Sequence, residues 1–492
     1  MSVIKNTTIY FSVSIIQSLI SFLLLPVFTH FLTKAQFGLV SVVNSISALL
    51  AIFFIFGTQA VVSRLYFEYK DNEEKLKTFL GTVFLSKIIW NIILATVLIL
   101  GRNIIFPLIA KDINFYPFLL IAIGIGFFSV IFKIYQTLQQ TEQKSKSYAI
   151  DQILYLVLNN GITVLLLVVF DMKAEGVVLG TLIADFLMTL VVFFRLKKRM
   201  ILKIDKDILK ESFSYSWPIF FHALFGWGLA SVNRLILNNL VSIETVGVYT
   251  IGFTIAGVVN MITVALNHSY TPWFYSQMKK EKRDNGNIVR FAEFIILIYS
   301  ILSLCISLFS PEVIYLFINK GYVQAWKVIP FISFGYVFNG LYFFFINIFN
   351  YTKKAVKYVP LYSLCCSLIN IGLNYVLIPR YGMIGSAIAT MISMFVLSLT
   401  TCIGSKQFID VGFKYKRMIS LILLPFLMSL FVFINLNLNF WVVLIIKIIY
   451  VLVCILILLL VNRKQFGGSI AHQIDNLKVY LHGIKGNNKN SK

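Results

Sequence analysis

Fourteen apolar runs, each bounded by charged or turn residues, divide this chain of 492 residues, and that pattern decides what it can fold into. A helix that crosses a bilayer needs about 20 consecutive, mostly apolar residues. The runs fall at approximately 7–32, 37–64, 77–100, 115–137, 147–170, 176–196, 213–240, 245–269, 288–310, 326–350, 355–379, 382–404, 416–436 and 440–461. Apolar residues make up 59% of the chain and charged residues only 13%, against about 25% charged in an ordinary soluble domain. A soluble enzyme, a disulfide-stapled secreted domain and a disordered protein are all excluded. The predicted class is an all-α polytopic membrane protein of about fourteen spans.

The charges that remain orient the chain. There are 43 Lys and Arg against 20 Asp and Glu, a net charge of +23. In a soluble protein such an excess suggests nucleic acid, but here the basic residues cluster between the spans. With the N-terminus inside, the inside segments hold 31 of the 43, among them Arg195, Lys197, Lys198, Arg199, Lys279, Lys280, Lys282, Arg283, Lys414, Lys416 and Arg417. The outside loops hold seven, Lys111 among them. This asymmetry obeys the positive-inside rule and predicts that both termini are cytoplasmic. Anionic lipid, rather than nucleic acid, is the expected partner of the basic loops. All five cysteines lie inside apolar runs, so neither disulfides nor a metal are expected. The first run is too long for a cleaved signal and is expected to remain as span 1.

The sequence repeats. The junction of spans 1 and 2 reads Phe31-Leu32-Thr33-Lys34-Ala35-Gln36-Phe37-Gly38-Leu39-Val40-Ser41, and that of spans 7 and 8 reads Leu240-Val241-Ser242-Ile243-Glu244-Thr245-Val246-Gly247-Val248-Tyr249-Thr250. A second landmark opens span 6 at Gly176 and span 12 at Gly382, 138 and 135 residues after Gly38 and Gly247. Near-equal spacing predicts two six-helix halves, at residues 1–200 and 213–405. A partly amphipathic linker at 201–212 is expected along the inner surface, and spans 13 and 14 with a basic tail are appended at 406–492. Six spans is an even number, so both halves enter from the same side. The repeats are then parallel, related by an axis along the membrane normal, with the site expected between them near the midplane.

At these landmarks the chain resembles a known family. The opening Ser21-Phe22-Leu23-Leu24-Leu25-Pro26-Val27-Phe28-Thr29-His30-Phe31-Leu32, running on to Phe37-Gly38, is similar to the start of Wzx-type polysaccharide flippases. So is Asn370-Ile371-Gly372-Leu373-Asn374, continued through Pro379-Arg380-Tyr381-Gly382-Met383-Ile384-Gly385. The wider group is the multidrug, oligosaccharidyl-lipid and polysaccharide exporter superfamily. The resemblance implies two bundles that open a central cavity alternately inward and outward. It also implies that polyprenyl-diphosphate-linked glycans (O-antigen, capsule or teuronic-type units) cross the bacterial cytoplasmic membrane for surface polysaccharide synthesis. Membrane lipids and other polysaccharide-assembly membrane proteins are the implied partners. Many relatives carry an Asp-Arg pair in span 7, where this chain reads Asn233-Arg234. If the acid holds the arginine elsewhere, Arg234 is freer here to meet an anion.

An ionisable side chain at mid-bilayer costs roughly 2.5–3.5 kcal/mol on insertion scales, so each one inside a span calls for a reason. A diphosphate needs cationic donors, Arg as a fork and Lys as a point charge, and Arg64, Lys87, Lys133 and Arg234 are the candidates. Against this, Arg64, Lys133 and Arg234 can snorkel to nearby headgroups, and Lys87 can form a structural ion pair with Asp185. Asp185 is the only deeply placed acid in this reading and therefore the candidate for ion coupling. Asn159, Asn160, Asn370 and Asn374 either contact sugar hydroxyls or bond across helices. His222 reads as a satisfied polar contact, and Lys447 as facing a neighbouring helix or lipid. No Gly-x-x-x-x-Gly-Lys-Ser/Thr loop occurs, and no catalytic residue, cofactor or metal is expected. The alternative is a multidrug and toxin extrusion-type exporter of cations, which would favour acids in the cavity. A membrane glycan polymerase fits less well, because the outside loops are short and carry few acids.

Overall fold

The computed structural model describes residues 2–110, 113–280, 284–352, 358–434 and 438–461. The basic tail from Arg463 lies outside the described residues, as do Lys111, Asp112, Lys282 and Arg283. The described residues contain no β-strand. The first half comprises α1 (Ser2–Leu23), α2 (Leu25–Phe31), α3 (Lys34–Ile55), α4 (Thr58–Tyr69), α5 (Glu73–Leu100), α6 (Arg102–Ile109), α7 (Leu120–Thr141), α8 (Ser145–Val164) and α9 (Lys173–Leu196). The second comprises α10 (Lys206–Ala230), α11 (Val232–Leu240), α12 (Ile243–Met278), α13 (Asn285–Phe317), α14 (Ile329–Thr352) and α15 (Val359–Lys406). The appended pair is α16 (Tyr415–Ser429) and α17 (Phe440–Val461).

Twelve helical stretches are long and apolar enough to cross a membrane, and α10 with α11, bent by 47°, adds a thirteenth. The 48 residues of α15 would reach about 70 Å if straight, more than twice the ~30 Å hydrocarbon core. They do not run straight. Gly382 takes φ +55° and ψ −133°, a left-handed conformation that suits a residue without Cβ. Across that turn Asn370 donates to Ser393 at 3.2 Å, though the two are 23 residues apart. The arms 359–381 and 383–406 are therefore an antiparallel hairpin, and the spans among the described residues number fourteen.

The two halves meet at the repeated landmark. Thr33 caps α3 through the Gln36 amide, and Ser242 caps α12 through the Thr245 amide. A Cβ on Gly38 would stand 1.9 Å from the Ile243 carbonyl oxygen, and one on Gly247 would stand 2.2 Å from that of Lys34. These contacts are reciprocal under the repeat, and one turn on the equivalent Ser41 and Thr250 hydroxyls bond to each other at 2.7 Å. Equal offsets along both helices mean that α3 and α12 run in the same direction, as parallel repeats require. Tyr322 donates to the Leu32 carbonyl at 3.0 Å, and the Trp227 indole to that of Ser45 at 3.0 Å, sealing this end.

The linker is held by backbone contacts. Residues 201–204 form no helix or strand, and the Lys203 amide donates to the Ile201 carbonyl at 2.7 Å. The Ile201 amide donates to the Lys77 carbonyl at 3.1 Å, and the Thr82 hydroxyl to that of Lys203 at 3.0 Å, strapping the segment across α5. Gly81 allows that approach, since a Cβ there would overlap the Ile201 carbonyl. α10 starts within the expected linker because Asp205 caps it, accepting from the amides of Asp207 and Ile208.

Burial of Lys447 explains the appended pair. Its ammonium donates to Glu312 at 2.6 Å and to the Leu308 carbonyl at 2.9 Å, fixing α17 to α13. The neighbouring helix, not lipid, is its partner. Val451, Cys454 and Leu458 of α17 are buried on the same side, while Ile445, Ile449 and Leu452 are exposed, as lipid contact demands.

Overpacking at the glycine crossing tests this arrangement. Gly38→Val is expected to cost about 1–3 kcal/mol and to separate α3 from α12. Oxidative crosslinking of Ser41→Cys to Thr250→Cys, in a background without the native cysteines, should proceed with Gly38 and fail with valine. Equal crosslinking in both would contradict the crossing.

Candidate functional site

The five cations of the spans divide by environment. Lys87 is 7% exposed and donates to the Phe54 carbonyl at 3.0 Å. That carbonyl lies in the last turn of α3, which stops because Phe56 and Gly57 both take left-handed φ, at 42° and 70°. A helix end leaves carbonyls unpaired and carries negative partial charge, so a cation is its natural partner. The Trp90 indole donates to the preceding carbonyl, Phe53, at 2.9 Å, and the rings of Phe56 and Trp90 lie 5.7 and 5.8 Å from the ammonium. Lys87 thus closes the break in span 2 and is withdrawn from any cavity; it makes no ion pair with Asp185. Arg64 also departs from the expected role, since it pairs with Glu68 at 2.8 Å on an exposed helix face. It borders a recess of about 470 Å³ with Glu68, Asp207, Lys210 and Glu211, whose acids outnumber the bases and leave no net positive charge.

Lys133 and Arg234 behave differently. Lys133, on α7, is exposed in area although protein atoms crowd around its ammonium. Its nearest acid is Asp185 on α9, not in direct ion-pair contact, and the Tyr155 hydroxyl of α8 is also directed at that carboxylate. Asp185 itself is 2% exposed. The acid expected beside Lys87 therefore stands with Lys133 and Tyr155 instead. Arg234, on α11, is half-buried and likewise enclosed. Its guanidinium lies 4.5 Å from the Phe253 ring centroid, with the hydroxyls of Tyr249 and Tyr336 nearby. It reaches one backbone oxygen, Ala230, at 3.4 Å. Among the described residues no carboxylate pairs with it, and its Nε is buried without a partner.

The asparagines separate in the same way. Asn370 and Asn374 are fully buried and belong to a cross-helix network rather than to a cavity wall. Asn374 donates to Asn233 at 3.0 Å, and Asn233 donates to Thr390 at 2.7 Å and Tyr249 at 3.4 Å. Of the two roles expected for this pair, cross-helix bonding is the one seen: in this conformation they hold α11 to both arms of α15. Asn160 turns back on its own helix, bonding the Leu156 carbonyl at 2.8 Å, while the Asn159 oxygen is buried and unpartnered. His222 is exposed in area on α10.

Asp185 is also not alone. Asp151 is fully buried, held by Arg195 at 2.5 and 2.6 Å and by Gln139 at 2.7 Å. Glu293 is fully buried near Arg417, at 3.5 Å. Both lie within a few residues of a span end, where residue order alone does not distinguish a buried acid from a solvated one.

The family model described as polysaccharide biosynthesis protein matches residues 3–279, more than half of the chain. A second model, MatE, matches residues 218–376. A membrane protein of Haemophilus influenzae is 23% identical over 378 residues, 76% of this chain and 89% of that one. The capsular polysaccharide biosynthesis protein CapF of Staphylococcus aureus is 27% identical over 192 residues, 38% of this chain and 48% of that one. Among solved structures, the lipid II flippase MurJ in an inward closed conformation is similar, with TM-score 0.69, 18% identity, and coverage of 93% of this chain and 99% of that one. The Vibrio cholerae MATE transporter VcmN follows, at TM-score 0.57 and 15% identity over 82% of this chain and 96% of that one. The chain belongs to the polysaccharide biosynthesis protein family and has the transporter fold shared by these structures.

Two sets of variants separate structural from functional roles. Lys87→Met should lower the thermal unfolding midpoint, since a buried carbonyl left unpaired costs about 1–3 kcal/mol, whereas Lys133→Ala should leave it unchanged and reduce transport. Asn233→Asp removes the donor to Thr390 and sets an acid beside Arg234, so transport should fall about tenfold or more, on the scale of ~1.5–3 kcal/mol for a charged hydrogen bond. Unchanged transport would show that Arg234 does not meet the substrate.

Proposed function

We propose that this family member is a flippase moving polyprenyl-diphosphate-linked oligosaccharides from the inner to the outer leaflet of the bacterial cytoplasmic membrane by alternating access. One observation carries the reading: Arg234 is an enclosed guanidinium inside a membrane-spanning bundle, with no carboxylate among the described residues to neutralise it. Such a charge is costly in hydrocarbon, and a ligand carrying a diphosphate supplies what it lacks, through a bidentate fork. Lys133 offers a second cation from the other half, partly offset by Asp185, which is also the proposed point of any ion coupling. The Phe253 ring orients the Arg234 fork and shields it from lipid.

The closed crossing at Gly38 and Gly247 supports an inward-opening state, since the positive-inside rule sets that end outside and both termini inside. Moving a negative charge outward across an inside-negative membrane releases ~2.3 kcal/mol per charge per 100 mV, so the membrane potential itself favours export of a diphosphate. The cation-exporter alternative shares the helical plan but asks for acids facing the cavity, and here the enclosed, accessible side chains are cationic. Assembly with other polysaccharide-synthesis proteins is part of this proposal, with the basic inner loops facing anionic lipid.

Lipid extracts of cells depleted of the protein provide the test. Mass spectrometry should find polyprenyl-diphosphate-linked glycan accumulating on the cytoplasmic face, relieved by the wild type and by Arg64→Ala but not by Arg234→Ala. Normal surface glycan with no accumulation, in cells without a redundant flippase, would end this reading and move cation export to first place.

A further inference from the structure

Along the seam between α12 and α14 the spans carry paired side-chain amides that no role described above uses. Asn339 donates to the Asn260 oxygen at 3.4 Å, and two turns further along Asn347 donates to the Asn267 oxygen at 2.9 Å. Thr271 closes the second pair, its hydroxyl 3.2 Å from both amide oxygens. A carboxamide has two donor hydrogens and two acceptor sites, so these bonds leave much of the capacity unspent. The nitrogens of Asn260 and Asn267 and the oxygen of Asn339 have no protein partner among the described residues, yet none is sealed from solvent. Within a bilayer a polar atom in that state must border water or a polar ligand, because lipid offers it no hydrogen bond. The open groups therefore face aqueous space inside the transporter.

Their position ties them to the cation. Phe253, which stacks on Arg234, lies on the same helix as Asn260 and Asn267. At 1.5 Å per residue the two amides stand about 10 and 21 Å along α12 from it. Tyr336, near the same guanidinium, precedes Asn339 on α14. A ligand whose diphosphate rests on Arg234 would extend its headgroup along this seam. Amide donors and an amide acceptor side by side, flanked by aromatic rings, match the vicinal hydroxyls and ring faces of a sugar and offer nothing to a polyprenyl tail.

We propose that Asn260, Asn267 and Asn339 form the glycan subsite of the transporter, reading the first sugars of a lipid-linked saccharide whose diphosphate is held at Arg234. This rests on the flippase reading, and the experiment separates the two. Binding to the purified full-length protein in nanodiscs would be measured for a polyprenyl diphosphate and for the same lipid bearing one N-acetylhexosamine. Wild type should bind the glycosylated lipid at least fivefold more tightly than the bare one. Asn260→Ala with Asn339→Ala should erase that preference and leave the bare lipid's affinity unchanged; Arg234→Ala should weaken both lipids together. Should the double variant unfold, Asn260→Gln alone, which keeps an amide but displaces it, should reduce the preference with an unchanged unfolding midpoint. A preference that survives these changes, or a wild type that binds both lipids equally through Arg234, overturns the glycan subsite and leaves the flippase reading standing. Loss of bare-lipid affinity in the asparagine variants also overturns it, since the seam would then be structural. If neither lipid binds, both readings fall.

Discussion

Two glycines meeting backbone to backbone hold the halves of this protein together. Lipid tails are as apolar as leucine, so helices in a bilayer gain little from burying apolar surface and depend on close packing and hydrogen bonds. The Gly38–Gly247 crossing supplies the first, and the Ser41–Thr250 bond directly beneath it the second. Everything proposed for the site follows from this contact. It aligns α3 with α12 as parallel repeats, seals one end, and sets α11, which ends just before the Ser242 cap, where Arg234 meets Phe253.

Charge inside the bundle is then sorted by what the backbone leaves unsatisfied. Span 2 breaks at Phe56 and Gly57, and the exposed carbonyls of α3 consume Lys87. The appended helices attach through Lys447 and Glu312, a buried pair whose disruption leaves an uncompensated charge and is therefore expensive to break. Arg64 finds Glu68 one turn away. Of the candidate cations among the described residues, one from each half remains enclosed and accessible, Lys133 near its acid and Arg234 without one. A transporter for a cation would show the opposite residue, an unpaired acid open to the cavity.

Much of the fold was legible because periodic and local signals carry it. Span count follows from apolar length, and the repeat from the spacing of Gly38, Gly176, Gly247 and Gly382; the turn at Gly382 even falls where spans 11 and 12 were divided. The site was legible only in part, because partner choice is a tertiary matter. Nothing near Lys87 announces that α3 will end in left-handed residues 31 and 30 positions earlier, and nothing near Asp185 names Tyr155 and Lys133. Asn370 and Asn374 carry the same side chain as Asn260 and Asn339, yet the first pair is sealed among helices and the second opens to solvent. The docking of the linker was illegible for a related reason: only the fold brings Gly81 on α5 against the backbone at Ile201.

On the proposed reading, the unneutralised guanidinium of Arg234 selects an anionic lipid. Proteoliposomes containing the wild-type protein, loaded in one leaflet with a fluorescent glycolipid that carries or lacks the diphosphate, test it most directly. Leaflet exchange of the diphosphate lipid alone, accelerated by a potential negative on its starting side, is the predicted result. Equal movement of the neutral analogue, or movement indifferent to the potential and to Arg234→Gln, would contradict the account.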